Sequence, residues 1–64
     1  MILELYDKVK LKNGKVAHIV EIYEHGVAYE ADIDEGDDEY TTDTIKHNDI
    51  LYAFTEGAKQ RTAI

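Results

Sequence analysis

The groups in this chain best suited to chemistry are carboxylates that surround Gly36. Five of them lie within the six residues 34–39, and the candidate ligands among these are Asp34, Asp37, Asp38 and Glu39. Clustered oxygen ligands suit a hard cation such as Ca²⁺, and an EF-hand loop requires a ligand at position 1, glycine at position 6 and glutamate at position 12. With Gly36 at position 6, Ala31 stands at position 1 and Thr42 at position 12. The motif fails, so we predict no metal site, with weak non-specific cation binding as the alternative to a solvated acidic turn.

The remaining reactive groups have no catalytic or ligating arrangement. His18, His25 and His47 lack the spacing of a zinc site, and the chain has no cysteine to complete one. Serine is also absent, and no threonine has a base at a defined spacing, so nucleophilic catalysis has no candidate residue. A small barrel fills its interior with side chains and leaves no substrate pocket. We therefore expect no enzyme activity, no catalytic residue and no cofactor.

Charge is distributed unevenly along the chain. The net charge is −7, and residues 30–56 hold ten acids against one lysine. Four other lysines come early in the sequence, at Lys8, Lys10, Lys12 and Lys15. Acidity of this size argues against nucleic acid as a direct partner, because phosphate contacts need a basic patch. It favours either solubility alone or a protein partner with a basic surface.

Residues 27–34 form the element that must position the acids. Apolar residues occupy every second position, at Val27, Tyr29, Ala31 and Ile33. This period predicts a strand with an apolar inner face and an acidic outer face, and the acidic surface continues into the turn that follows. We predict that the partner-binding residues are Glu30, Asp32, Asp34, Glu35, Asp37, Asp38 and Glu39, together with the tyrosines Tyr23 and Tyr40. For the tyrosines as a group, the favoured expectation is a buried ring with a solvated hydroxyl, and an exposed patch beside the acidic face is the alternative.

The rest of the chain predicts four more short strands and the turns between them. Asn13-Gly14 is a strong hairpin signal and predicts a type I′ turn. Apolar residues on both faces of 16–24 predict a strand with a β-bulge near Val20-Glu21, with a helix as the alternative. Further strands are predicted at 40–45 and 50–54, with a 3-10 turn between them.

This layout predicts an all-β fold, a small five-stranded SH3-like barrel with a short 3-10 turn before the last strand. Residues 1–54 form the single domain, and residues 55–64 are predicted to be a flexible C-terminal tail. The predicted core consists of Val9, Leu11, Ile19, Val20, Ile22, Val27, Tyr29, Ala31, Ile33, Ile45, Ile50, Leu51 and Phe54. Because so short a chain has a small core, a homodimer that buries further apolar area is a second expectation.

The strand and turn residues also carry a family resemblance. They are Asp7, Val9, Leu11, Gly14, Ile19, Val20, Glu21, Ile22, Tyr23, Tyr29, Glu30, Asp49 and Ile50. Over residues 7–54 this pattern resembles that of small uncharacterised bacterial and phage proteins with an SH3-like, or KOW-like, barrel. Those proteins usually carry a second glycine where this chain has Ala17. The resemblance implies a fold and a bacterial or phage setting, and it implies no catalytic residue.

The predicted compartment and function follow from these patterns. The chain has no cysteine and no apolar stretch of about 20 residues, and its first residues do not resemble a signal peptide. These features predict a cytoplasmic protein without a membrane partner. We predict a small non-enzymatic interaction or regulatory module that binds a basic protein partner through its acidic face. The alternatives are a phage or mobile-element inhibitor that mimics nucleic acid, and a weak nucleic-acid-binding KOW-like domain that uses the early lysines.

Overall fold

A computed structural model describes residues 2–54 of the protein and, for the backbone alone, residues 60–63. Its strands are β1 Lys8–Leu11, β2 Val16–Glu24, β3 Ala28–Gly36, β4 Glu39–Lys46, β5 Ile50–Phe54 and β6 Gln60–Ala63, with a 3-10 turn at His47–Asp49. Neighbouring strands are antiparallel, in the order β4-β3-β2-β1-β5-β6. Strands β1 to β5 have the order of an SH3-like barrel, so the predicted fold class and the 3-10 turn before β5 are confirmed.

Strand β3 is the centre of the acidic half of the sheet. Tyr29 and Ala31 are fully buried and Ile33 is nearly so, while the residues between them are half-buried on the outer face. The predicted alternation is therefore confirmed from residue 28 onward. Val27 lies in the turn before β3 and is half exposed, so its predicted place in the core is wrong.

The core lies on the inner face of the sheet, which bends around it. It comprises Leu3, Val9, Leu11, Ala17, Ile19, Tyr29, Ala31, Ile33, Ile45, Ile50 and Ala53. Val20 lies at an irregularity in the β2–β3 pairing, between Ile19 and Glu21, and is only half-buried. The predicted bulge near Val20 is thus confirmed, and it explains why Val20 does not join the core. Ile22 packs against the core from its edge.

A second irregularity changes the face of β5. The pairing of β1 with β5 shifts between Lys10 and Leu11, so that Ala53 points inward. Leu51 is 44% exposed and Phe54 is half-buried, which corrects the prediction that both belong to the core. A shift of one residue exchanges the two faces of a strand, which accounts for Phe54. Leu51 takes the outer face because it directly follows the buried Ile50.

The first hairpin uses a different turn from the one predicted. Gly14 N–H donates to the Leu11 carbonyl over 2.9 Å, and Leu11 N–H donates to the Lys15 carbonyl over 2.8 Å. Gly14 has φ of +93°, whereas Asn13 is not in the positive-φ region. This is a three-residue loop, a type I turn followed by a left-handed glycine, rather than a type I′ turn. The Asn13 side chain accepts the Lys15 N–H over 2.9 Å, which favours the longer loop.

The sheet extends beyond the five predicted strands. β6 pairs antiparallel with β5, with Tyr52 opposite Ala63 and Ala53 opposite Thr62. A strand therefore occupies residues 60–63, where the sequence predicts part of a flexible tail, because backbone pairing to β5 needs no apolar pattern. Residues 55–59 and 64 of that predicted tail lie outside the described residues. Among the residues described, no helix is long and apolar enough to cross a membrane.

Candidate protein-interaction face

The outer face of β3 carries a row of three carboxylates. Glu30, Asp32 and Asp34 alternate with the buried residues of the strand and are each half-buried. We call these three residues the acidic row. Alternate residues of a strand are about 6.6 Å apart, so the row presents evenly spaced negative charge along one strand.

Neutral donors orient the carboxylates of the acidic row. Strand β4 places Thr42 opposite Asp32 and Thr44 opposite Glu30, and each threonine hydroxyl donates to the carboxylate facing it, over 2.6 and 3.0 Å. Asp34 accepts the backbone N–H of Gly36 over 2.8 Å. These donors fix the side chains without neutralising them, since none of them carries positive charge.

Tyr23 lies beside one end of the acidic row. It is 57% exposed, so its ring is outside the core. Partial burial against the sheet raises the pKa of the Tyr23 phenol above its ordinary value, and the charge of Glu30 and a hydrogen bond to that carboxylate raise it further. The bulged end of β2 therefore turns this aromatic side chain toward the acids, so the buried ring that the sequence favours is not found at Tyr23.

Tyr40 lies at the other end of the row. It is directly opposite Asp34 in the β3–β4 pairing and is 59% exposed. An exposed aromatic ring thus stands at each end of a line of carboxylates. Tyrosine supplies a large contact area together with a polar tip, which suits it to protein surfaces that bind other proteins.

The other predicted acids lie at the end of the β3–β4 hairpin. Asp37 and Asp38 have φ of +52° and +61°, so both central residues of this turn are left-handed, as in a type I′ turn. Glu39 begins β4 opposite Gly36 and is exposed. These three side chains are solvated and extend the negative surface beyond the acidic row.

Glu35 differs from the other acids because it has a cationic partner. Its carboxylate forms an ion pair with the Lys15 ammonium at the end of the β2–β3 pair. The hydrogen bond from Lys15, assisted by the lysine charge, lowers the pKa of Glu35 below its ordinary value. This predicted site residue is therefore partly neutralised and is a weaker candidate for binding a partner.

The opposite half of the outer face is basic and aromatic, which the sequence reasoning missed. Tyr52 lies opposite Lys10 in the β1–β5 pairing. The rings of Tyr52 and Phe54 meet edge to face with centroids 5.0 Å apart, and the Lys8 ammonium lies 5.2 Å from the centre of the Phe54 ring. We call Lys8, Lys10, Tyr52 and Phe54 the basic-aromatic patch. The signal available in the sequence was the alternation of Lys8 and Lys10 with core residues, but their aromatic neighbours depend on a strand pairing across the whole chain.

A buried tyrosine connects the β2–β3 turn with the 3-10 turn through two hydrogen bonds. The Tyr29 hydroxyl accepts the Gly26 N–H over 2.9 Å and lies 2.8 Å from His47 Nδ1. His47 N–H also donates to the Val27 carbonyl over 2.8 Å. The histidine therefore has a structural role at this end of the domain.

Two shallow clefts and an exposed tyrosine at positive φ also lie on the described part of the surface. A cleft of about 380 Å³ lies at Gly26, Val27 and His47, and another of about 400 Å³ lies between the first hairpin and β4, with Asp43 on its wall. No group of three or more histidine, aspartate or glutamate side chains among the described residues is placed to hold a metal ion. Tyr6 has φ of +69° and is 74% exposed, an unusual conformation for a bulky residue.

Comparison of the chain with protein families, with curated proteins and with solved structures found no significant match. The account of its function therefore depends on the chemistry of this face.

Proposed function

We propose that the protein is a small non-enzymatic interaction module that binds a basic protein surface through the acidic row and its two flanking tyrosines. The observation that carries this proposal is the kind of hydrogen-bond donor that contacts the acidic row. Its carboxylates are held by hydroxyl and backbone N–H donors, so their charge is oriented but remains available to an incoming cation. Preoriented charge speeds association with a basic partner and disfavours acidic competitors. We place this activity in the cytoplasm, in keeping with a chain that lacks cysteine.

A lysine decapeptide tests the proposal directly. We expect salt-sensitive binding of the labelled peptide by fluorescence anisotropy, weakening strongly between about 0.05 and 0.5 M salt because exposed charges are screened. The double variant Asp32→Asn/Asp34→Asn should bind at least about tenfold more weakly, an effect of the size measured for close interfacial charge pairs.

A matched variant separates the acidic row from net charge. Glu4→Gln/Glu24→Gln removes the same number of charges at exposed positions outside the acidic row. It should bind the peptide within about twofold of the wild type, since distant surface charges are largely screened. Equal losses in the two variants would show that bulk acidity, and not the row, attracts the peptide.

A nucleic-acid mimic is the second candidate, favoured by the spacing of the row. Alternate residues of β3 repeat about every 6.6 Å, close to twice the 3.4 Å phosphate repeat of one DNA strand. A mimic would compete with DNA for the binding channel of a nuclease or transcription factor. Proteins retained by the immobilised wild type at low salt, then purified and tested for loss of DNA binding, would distinguish it from a module with other partners.

A further inference from the structure

The strand pairings place three kinds of residue side by side across the outer face. Lys8 lies opposite His18 in the β1–β2 pair, and His18 lies opposite Asp32 in the β2–β3 pair. In the next row, Lys10 lies opposite Val16. The β2–β3 register continues by alternation to put Asp34 on the other side of Val16.

The outer face is therefore divided by β2 into halves of opposite charge. Each lysine and the aspartate of its row stand one strand to either side of β2, about 4.8 Å from it. The two halves are also alike one strand farther from β2, where each carries a tyrosine. Tyr40 lies beyond Asp34 on β4, and Tyr52 lies beyond Lys10 on β5.

This arrangement is complementary to itself. Consider two copies stacked face to face and related by a two-fold axis that runs parallel to β2, midway between them. This rotation places β3 of one copy over β1 of the other and leaves the position of each residue along the strand direction unchanged. Asp32 of one copy then faces Lys8 of the other, and Asp34 faces Lys10. The exposed Tyr40 faces Tyr52, and Val16 meets its own twin on the axis. Two-fold interfaces use the same patch on both subunits, which is the property that this face has.

We propose that the outer face binds a second copy of this chain, with the acidic row of each copy against the basic-aromatic patch of the other. This inference rests on the proposed function, because it names the basic partner of the same acidic row. Aligned packing of two sheets, about 10 Å apart, is a common arrangement and leaves space for lysine and tyrosine side chains.

The dimer should be weak. A stable complex buries about 800 Å² on each partner, which is close to a fifth of the 4288 Å² accessible surface of this chain. The outer side of a bent sheet is convex, so contact is concentrated near β2. We expect a dissociation constant of roughly 10 µM to 1 mM, the range of small, transient interfaces.

Charge reversal tests the arrangement. Lys8→Glu/Lys10→Glu gives an all-acidic face, and Asp32→Lys/Asp34→Lys gives an all-basic face. Sedimentation equilibrium should find that each variant alone self-associates at least about tenfold more weakly than the wild type. An equimolar mixture should form a heterodimer within about threefold of the wild-type affinity, because every opposing pair is again of opposite sign.

Matched controls distinguish this register from general attraction between acidic and basic chains. Lys12→Glu/Lys46→Glu and Glu4→Lys/Glu24→Lys make the same charge changes at exposed positions outside the two rows. Each control alone should self-associate within about threefold of the wild type, because Lys8, Lys10, Asp32 and Asp34 are intact in both. A loss of self-association in the controls as large as in the variants at Lys8/Lys10 and Asp32/Asp34, or a wild type that stays monomeric up to about 1 mM, would overturn the inference.

Crosslinking provides a second test that does not depend on charge. The chain has no cysteine, so single cysteines can be introduced cleanly. Val16→Cys lies on the proposed axis, and a short bis-maleimide should join two copies. Tyr40→Cys lies two strands from the axis, so its twin is about 19 Å away laterally and should not be joined. Equal crosslinking of both variants would contradict the dimer. A monomer that still binds lysine decapeptide through the acidic row would refute the dimer and leave the proposed function standing.

Discussion

The Tyr29 hydroxyl gives the sharpest test of how this domain is held together. Tyr29 is fully buried, and its hydroxyl connects Gly26 N–H with His47 Nδ1. Tyr29→Phe keeps the ring and removes both hydrogen bonds. A hydrogen bond contributes about 1 kcal/mol net, and more where the abandoned partner is buried. Gly26 is exposed and His47 half-buried, so water can replace part of the loss, and we expect a destabilisation of about 1.5 kcal/mol.

Urea and thermal unfolding followed by circular dichroism measure this effect. For a domain of this size, about 1.5 kcal/mol lowers the melting temperature by about 6–12 °C. Tyr40→Phe is the matched control, because it removes the same atom from an exposed ring. Its melting temperature should stay within about 3 °C of the wild type, as for most surface changes.

A double-mutant cycle assigns the loss to the pair. His47→Ala alone should also destabilise the domain, and the combined variant should lose less than the sum of the two by about 0.5–1 kcal/mol, since they remove a shared bond. Equal melting temperatures for Tyr29→Phe and Tyr40→Phe, or strict additivity in the cycle, would refute this account of the hydroxyl.

Three further predictions concern the turns and the one cationic partner of a predicted site acid. Gly14→Val should destabilise the protein by about 1 kcal/mol or more, because no atom blocks a side chain there but φ is +93°; an unchanged melting temperature would contradict the first hairpin. Asp37→Asn/Asp38→Gly should raise stability by about 1 kcal/mol in urea unfolding, because Asn-Gly is the preferred type I′ sequence; a loss of stability would show that the aspartates make contacts worth more than the turn preference. Lys15→Met should raise the pKa of Glu35 toward its ordinary value in a carboxyl NMR titration. Because the folded-state pKa of Glu35 is lowered, the pair stabilises the fold above the ordinary glutamate pKa and loses this effect as pH falls through the lowered value, and an unmoved titration in the variant would argue against the pair.

Local pattern was enough to predict the acidic row. Its three members alternate with Tyr29 and Ala31 on a strand without irregularity, so parity alone decides which face each residue takes. Phe54 was placed in the core, and wrongly, because a shift in the β1–β5 pairing changes the face that it takes. The irregularity that shifts this register cannot be recognised from the amino-acid composition of β5 itself.

The first turn shows a different limit. Asn-Gly identifies where the hairpin reverses, but the type of turn depends on which backbone groups bond across it. Here the Asn13 side chain accepts the Lys15 N–H, and the loop takes three residues instead of two. The glycine keeps its positive φ in either arrangement, so its importance could be predicted although the turn type could not.

The basic-aromatic patch could not be predicted because its members are far apart in sequence. Lys8 and Phe54 meet only because β1 pairs with β5, the first predicted strand with the last. Considered separately, the early lysines suggested weak nucleic-acid binding. Beside the acidic row, they form one side of a face whose two halves carry opposite charge.

Asp43 determines how this protein can meet its own copies. It belongs to the inner face of β4, where it pairs with Ala31, and it lines a cleft at the end of the sheet. No strand among the described residues covers the far side of β4. A chain that added itself there would trap this carboxylate away from water, which carries a penalty of several kcal/mol unless a cation accompanies it. Addition of further strands at the edge of β4, and fibril growth by that route, is therefore disfavoured. Contact between copies through the outer face of the sheet does not carry this penalty.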